Sequence, residues 1–256
     1  MLFNGFRSYF DDDQFITDLV MPEELKDIFI ASMYGRGRIM DESEGDPAKI
    51  WNNMSYKYNN INLVAPSQVH GCNIIPAINR YSLPQRPEAD GVLLTNDSEC
   101  FASLRFADCV PVVSAGIYPE PWMLILHSGF AGTVKNIVLN SILNLKRQFN
   151  VSDFGGKIWA WIGPSICRKC YCRKKNDPST DSALKIFAES SFCEKGEYVY
   201  FDLRQQVREQ LIYSGVQYPN IFTFDACTRC NSDYLYSYRA GDEKRRIFLL
   251  AGNTTK

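Results

Sequence analysis

A mixed α/β fold, with one mixed sheet or two sheets covered by helices, is predicted by three features of this 256-residue chain. Short apolar runs rich in β-branched and aromatic residues recur along its length, each bounded by Gly, Pro, Asn or Asp. Three helical periodicities, with a fainter fourth, fall between some of these runs. Their partly clustered, partly alternating order argues against a strict parallel βαβ array.

In chain order, strands are expected over 27–32, 61–65, 91–95, 100–106, 111–115, 122–127, 157–162, 198–201, 221–224 and 246–251. The clearest helix is expected over 133–149, where Val134, Ile137, Val138, Ile142, Leu145 and Phe149 share one face. A second is expected over 179–192, with Ser179, Thr180 and Asp181 as cap candidates. A third starts near Asp202, turns Leu203, Val207 and Leu211 inward, and stops at Gly215. The fainter pattern covers 47–58. No repeat, linker or composition break divides the chain, so residues 1–256 are expected to form a single domain.

With 45% hydrophobic and 22% charged residues and a formal net charge of −1, the composition is that of an ordinary globular protein. No basic tract suggests nucleic acid and no apolar stretch is long enough for a membrane helix. The start of the chain carries Asp11, Asp12 and Asp13 instead of a basic region and an apolar core, so a cytoplasmic protein acting on a small molecule is expected. Nine cysteines, an odd number, are read as reduced.

The chain has only two histidines. His70 and His127 each follow an apolar run and precede Gly or a small residue, and Cys109 lies between them after another run. All three are expected where strands give way to loops, the usual place for groups that converge on one pocket. His, Cys and His make a three-ligand zinc set with an open fourth position. Asp108, beside the thiol, is a candidate to move a proton or orient a ligand imidazole. Local context alone does not separate this reading from structural histidines and a small buried Cys.

After His127 the chain reads Ser128, Gly129, Phe130, Ala131, Gly132, Thr133 and then enters a helix. Such a Gly-rich turn offers backbone N–H groups to an anion, with Ser128 and Thr133 as hydroxyl donors; the plainer alternative is that Thr133 only caps the helix. Tyr236, Tyr238 and Arg239 could frame a purine and a phosphate. Trp159 and Trp161 alternate along a strand and read as core. Cys167-x-x-Cys170, with Cys172, and Cys227-x-x-Cys230 have zinc-knuckle spacing, but the pairs lie farther apart than in usual zinc ribbons.

The series Gln68-Val69-His70-Gly71, Ala89-Asp90-Gly91-Val92, Ala107-Asp108-Cys109-Val110-Pro111-Val112, His127 to Thr133 and Ile162-Gly163-Pro164-Ser165-Ile166 resembles successive motifs of one family. It continues through Phe201-Asp202-Leu203, Gly215-Val216, Cys227-Thr228 and Tyr236-Ser237-Tyr238-Arg239. The family was named for laccase-like polyphenol oxidase activity and later described as zinc-dependent purine nucleoside phosphorylases. The resemblance implies a layered α/β/β/α fold shared with toxin deamidases and zinc held by His70, Cys109 and His127. It implies phosphorolysis of adenosine, inosine and methylthioadenosine, with adenosine deamination as a second activity. Cys109, Asp108 and His127 are the expected catalytic residues; Ser128, Gly129, Gly132, Thr133 and Arg239 are the expected substrate and phosphate contacts.

Two departures matter. The family usually has Trp-Arg after His-Ala-Gly, where this chain has Phe130-Ala131. It tends to have Thr-Arg before a Gly pair, where this chain has Ser32-Met33-Tyr34-Gly35; Arg36 or Arg38 is a candidate replacement. Rival readings are a metal-independent cysteine hydrolase or deamidase using Cys109 with His127 or His70, and a zinc-binding member that has lost its reaction. Copper is the weaker metal, because two histidines cannot furnish a multicopper centre. A monomer or weak homodimer is expected.

Overall fold

The computed structural model describes residues 5–254. Fifteen strands are present among them: β1 (Phe6–Asp11), β2 (Gln14–Leu19), β3 (Phe29–Tyr34), β4 (Leu63–Val64), β5 (Ile74–Pro76), β6 (Gly91–Thr95), β7 (Phe101–Phe106) and β8 (Val110–Gly116). They continue with β9 (Trp122–Ser128), β10 (Ile158–Ile162), β11 (Cys172–Lys174), β12 (Phe192–Lys195), β13 (Tyr198–Phe201), β14 (Ile221–Thr223) and β15 (Ile247–Asn253). The α-helices are α1 (Arg38–Ser43), α2 (Pro47–Met54), α3 (Phe130–Val134), α4 (Ile137–Gln148), α5 (Pro178–Leu184) and α6 (Leu203–Tyr213).

Two six-stranded mixed sheets form the body, ordered β1-β2-β3-β15-β7-β4 and β14-β10-β8-β9-β6-β5; β11, β13 and β12 make a small third sheet. All seven residues of β9 are buried, so its apolar run feeds two cores by strict alternation. Met123 and Ile125 face the first sheet and join its Leu104, Phe106 and Leu249 in one core. Trp122, Leu124 and Leu126 face the other way, where Ile137, Val138 and Ile142 of α4 and Val207 and Leu211 of α6 cover them. Helix α2 covers the outer face of the first sheet, with Trp51 and Phe101 rings 5.7 Å apart. The result is the expected α/β/β/α layering. No helix among the described residues is long and apolar enough to cross a membrane.

Several element boundaries differ from expectation. The helix expected over 133–149 begins earlier and is broken: α3 ends at Val134, and Asn136 takes a left-handed conformation (φ 56°) before α4 starts. The apolar period runs through this break, and only Asn's tolerance of that conformation hints at it. The helix expected over 179–192 is the short α5, capped by Asp177, which accepts from the Ser179 N–H, with Pro178 in the first turn. The remainder turns into β12. Expected strand 27–32 lies two residues later as β3. The hairpin β1–β2 was not foreseen because β1 is exposed on nearly every residue and lacks an alternating apolar signal.

Candidate active site

Three neighbouring strands deliver the site to one end of the second sheet. Strands β8 and β9 are antiparallel, and Pro111 pairs with His127, so Cys109, just before β8, lies beside the end of β9. Asp90, just before β6, accepts the His127 backbone N–H at 2.8 Å. His70 enters from the loop between β4 and β5 in a left-handed conformation (φ 57°).

The ligand atoms of His70, Cys109 and His127 all lie within 4.8 Å of one another, a grouping that could hold a metal ion. Cys109 Sγ is 3.8 Å from His70 Nε2, and the two imidazole rings meet edge to face with centroids 4.8 Å apart. Gly129 makes this convergence fit: a Cβ there would come within 2.7 Å of His70 Cδ2 and 2.8 Å of Cys109 Sγ.

Fully buried Asp90 organises the group. Its carboxylate accepts backbone N–H groups of Val69, His70 and Gly71 and lies 2.8 Å from His127 Nδ1. Burial pushes its pKa upward, but the hydrogen bonds from His127 and the backbone amides outweigh it and hold the carboxyl below its usual range. An ionised Asp90 can only accept, so Nδ1 of His127 carries the proton and Nε2 is left for a ligand. Burial lowers the His127 pKa despite Asp90, favouring the neutral ring. Asp90 thus takes the orienting role expected of Asp108. Asp108 instead ties segments together: Thr228 Oγ1 donates to its Oδ1 (2.6 Å) and the Arg239 N–H to its Oδ2 (2.8 Å).

Burial, with Asp108 and Asp90 nearby, pushes the Cys109 thiol up to about 12. A thiol so disfavoured as an anion is a poor unassisted nucleophile at neutral pH, which weighs against a metal-free cysteine enzyme.

The donors open into a cavity of about 630 Å³ also lined by Gln68, Arg105, Tyr171, Tyr238, Arg239, Lys244 and Arg246. Its charge is mainly positive. Lys244 pairs with Glu44, but among the described residues Arg105, Arg239 and Arg246 have no carboxylate ion-pair partner. Arg105 bonds the Gly45 and Pro66 carbonyls, and Arg246 bonds those of Asp242, Glu243 and Arg245. Burial and the neighbouring charges of Arg86 and Arg246 lower Arg105 to about 10. Arg105 and Arg246 are half-buried and Arg239 is exposed, and guanidinium groups without a direct carboxylate partner suit an anionic ligand.

The expected contacts are only partly brought together. Arg239 lines the cavity, its guanidinium 5.2 Å from the Tyr171 ring. Ser128 and Thr133 are fully buried and their hydroxyls meet at 2.8 Å, while Thr133 also bonds the Gly129 carbonyl. They offer no free donor, and Thr133 lies inside α3 instead of capping it. Gly129 packs against the metal donors, and Gly132 lies against the Gly71 carbonyl. Arg36 is spent on Asp242 and the Tyr236 ring, and neither it nor Arg38 lines the cavity. Tyr236 is buried, its hydroxyl on Asp41, whereas Tyr238 is exposed at the cavity. Trp161 is core, as expected.

Asp90, Gln68, Arg105 and Arg246 were missed as site residues. Asp90 reads as a turn residue before Gly91. Arg105 gave a signal, as the only charge within an apolar strand; Gln68 clamps its backbone, bonding both N–H and C=O.

Fold and site together define a protein of the layered α/β/β/α class with a donor group that could hold a metal ion. Residues 33–250 match the family described as multi-copper polyphenol oxidoreductase laccase, and the chain belongs to that family. A purine nucleoside phosphorylase of Aquifex aeolicus is 28% identical over 71% of this chain and 78% of its own length. Purine nucleoside phosphorylase YlmD of Bacillus subtilis is 31% identical over 60% of this chain and 55% of its own length. The chain therefore matches about half the length of that relative. In fold it is similar to YlmD from Geobacillus stearothermophilus (TM-score 0.79, 20% identity, covering 98% of this chain and 99% of that one). The Bacillus licheniformis protein YfiH compares at TM-score 0.80 and 20% identity over the same shares.

Proposed function

We propose that this chain is a zinc-dependent purine nucleoside phosphorylase acting on adenosine, inosine and methylthioadenosine, with adenosine deamination as a second activity. The observation that carries this reading is the meeting, in one cavity, of a His–Cys–His donor set with arginines that lack carboxylate partners. The name shared by the two curated relatives supports it.

Two imidazoles and one thiol suit zinc with a fourth position open, and they do not suit a multicopper centre, since the whole chain has two histidines. His70, Cys109 and His127 would hold the ion, which supplies Lewis-acid polarisation of a water or substrate oxygen. Arg105, Arg239 and Arg246 would bind phosphate and direct one of its oxygens at ribose C1′. As that oxygen bonds to C1′ the C1′–N9 bond breaks, and the proton given up by hydrogen phosphate leaves on the base. Tyr171 and Tyr238 offer flat apolar surface for the base. Asp108 holds the Arg239 backbone at the cavity wall.

The test is product analysis of zinc-loaded protein on the three nucleosides with and without phosphate. Free base and ribose 1-phosphate that appear only with phosphate are expected. Release of neither base nor inosine would overturn both activities, and full activity in Cys109→Ala would overturn the site.

A further inference from the structure

Outside the cavity, Cys167, Cys170, Cys227 and Cys230 converge although the two Cys-x-x-Cys pairs are distant in sequence. Strand topology brings them together. Strands β10 and β14 are parallel neighbours with Ile162 beside Thr223, so the loops that follow leave the same end of the sheet. A bridge between Ser165 and Cys227 extends that pairing, with the Thr228 N–H on the Ser165 carbonyl.

Each pair then makes the same turn. The Tyr171 N–H bonds the Cys167 carbonyl at 3.1 Å, and the Asn231 N–H bonds the Cys227 carbonyl at 3.0 Å. All four sulfurs lie within 4.8 Å of one another, with Cys170 and Cys230 at 3.5 Å. Zinc at about 2.3 Å from four tetrahedral thiolates places sulfurs roughly 3.8 Å apart, inside this range. The Cys167 N–H points at Cys227 Sγ (3.3 Å), a contact that favours thiolate. A disulfide is not formed at any of these positions. Cys172, in β11, lies outside the group.

We infer that these four cysteines form a second, structural zinc site, an all-thiolate clamp that fastens the loop after β10 to the loop after β14. Binding converts four thiols into thiolates on one Zn²⁺ and releases four protons. The closed four-sulfur shell leaves no position for substrate, so the ion is a clamp and not a reaction centre.

The clamp sits behind the cavity. The Ile166 N–H bonds the Asp108 carbonyl, and Thr228 holds the Asp108 carboxylate. Tyr171, adjacent to Cys170, is part of the cavity wall.

The test is metal content and thiol labelling of the full chain expressed with zinc and purified under reducing conditions. Two zinc per chain are expected, falling to one in Cys109→Ala and to one in Cys230→Ser. Because Cys230 is exposed, Cys230→His should fold and keep the second ion, held by three thiolates and one imidazole. In wild type, iodoacetamide should label exposed Cys193 at once and the four clamp cysteines only after chelation. Co²⁺ in place of zinc in Cys109→Ala should show the thiolate charge-transfer band of a tetrahedral site. Undiminished zinc in Cys230→Ser, iron in place of zinc, a Cys170–Cys230 disulfide, or labelling of all four in the untreated protein would each overturn the inference. Loss of zinc in Cys230→Ser but not in Cys109→Ala would overturn the His–Cys–His proposal while leaving the clamp.

Discussion

Asp90 and His127 meet at 2.8 Å in the interior, and the same carboxylate holds the backbone of the loop that carries His70. One side chain therefore sets the ring orientation of one donor and the position of another.

Asp90→Asn is expected to lower zinc affinity roughly 10–100-fold, as loss of an orienting carboxylate does. Competition with a chromophoric chelator measures this, and unchanged affinity would contradict the orienting role.

The same pair makes stability pH-dependent. A carboxyl held below its unfolded pKa contributes stability that is fully present above that value, about 3.9, and is lost as pH falls through the lower folded value. In metal-free protein, Asp90→Asn should cost about 1.5–3 kcal/mol near neutrality, as for a bond to a charged group. The gap from wild type should close on acidification below the folded pKa. Denaturant unfolding at a series of pH values tests it; a gap independent of pH would contradict it.

Gly129→Ala isolates the close approach of the donors. Gly129 has φ −76° and ψ 176°, which alanine adopts freely, so only the contacts to His70 and Cys109 are at stake. Zinc affinity is expected to fall by roughly tenfold or more with the far-ultraviolet circular dichroism unchanged.

Arg105→Gln should raise the phosphate KM roughly tenfold or more, the worth of a charged hydrogen bond, with a smaller effect on the nucleoside KM. Equal effects on both would move the anion site elsewhere.

Asn136→Val should destabilise the chain by about 1–2 kcal/mol, because a β-branched residue resists the left-handed conformation between α3 and α4, whereas Asn136→Gly should be nearly neutral. Thermal melts distinguish them.

The two histidine donors were legible because histidine is scarce and each follows an apolar run: five buried residues of β9 lead to His127. The rest was hidden for different physical reasons. Asp90 acts through bonds to backbone amides that sequence does not display. Arg105 and Arg246 come to one cavity through the pairing of β7 and β15, with Phe106 beside Ile247. The hydroxyls of Ser128 and Thr133 looked available in sequence, yet they satisfy each other once α3 turns over β9.

The proximity of Arg105 to Arg246 reaches beyond catalysis. Burial, the charge of Arg86 and the charge of Arg246 all disfavour a cation at Arg105, and the last of these is a repulsion between two groups of the cavity wall. An anion that settles between them removes that repulsion, and by mass action it raises the unfolding free energy by about 2.7 kcal/mol at a hundredfold excess over Kd. Heat resistance thus becomes a gauge of occupancy: the melting temperature should climb with phosphate or sulfate at constant ionic strength and stay level with chloride.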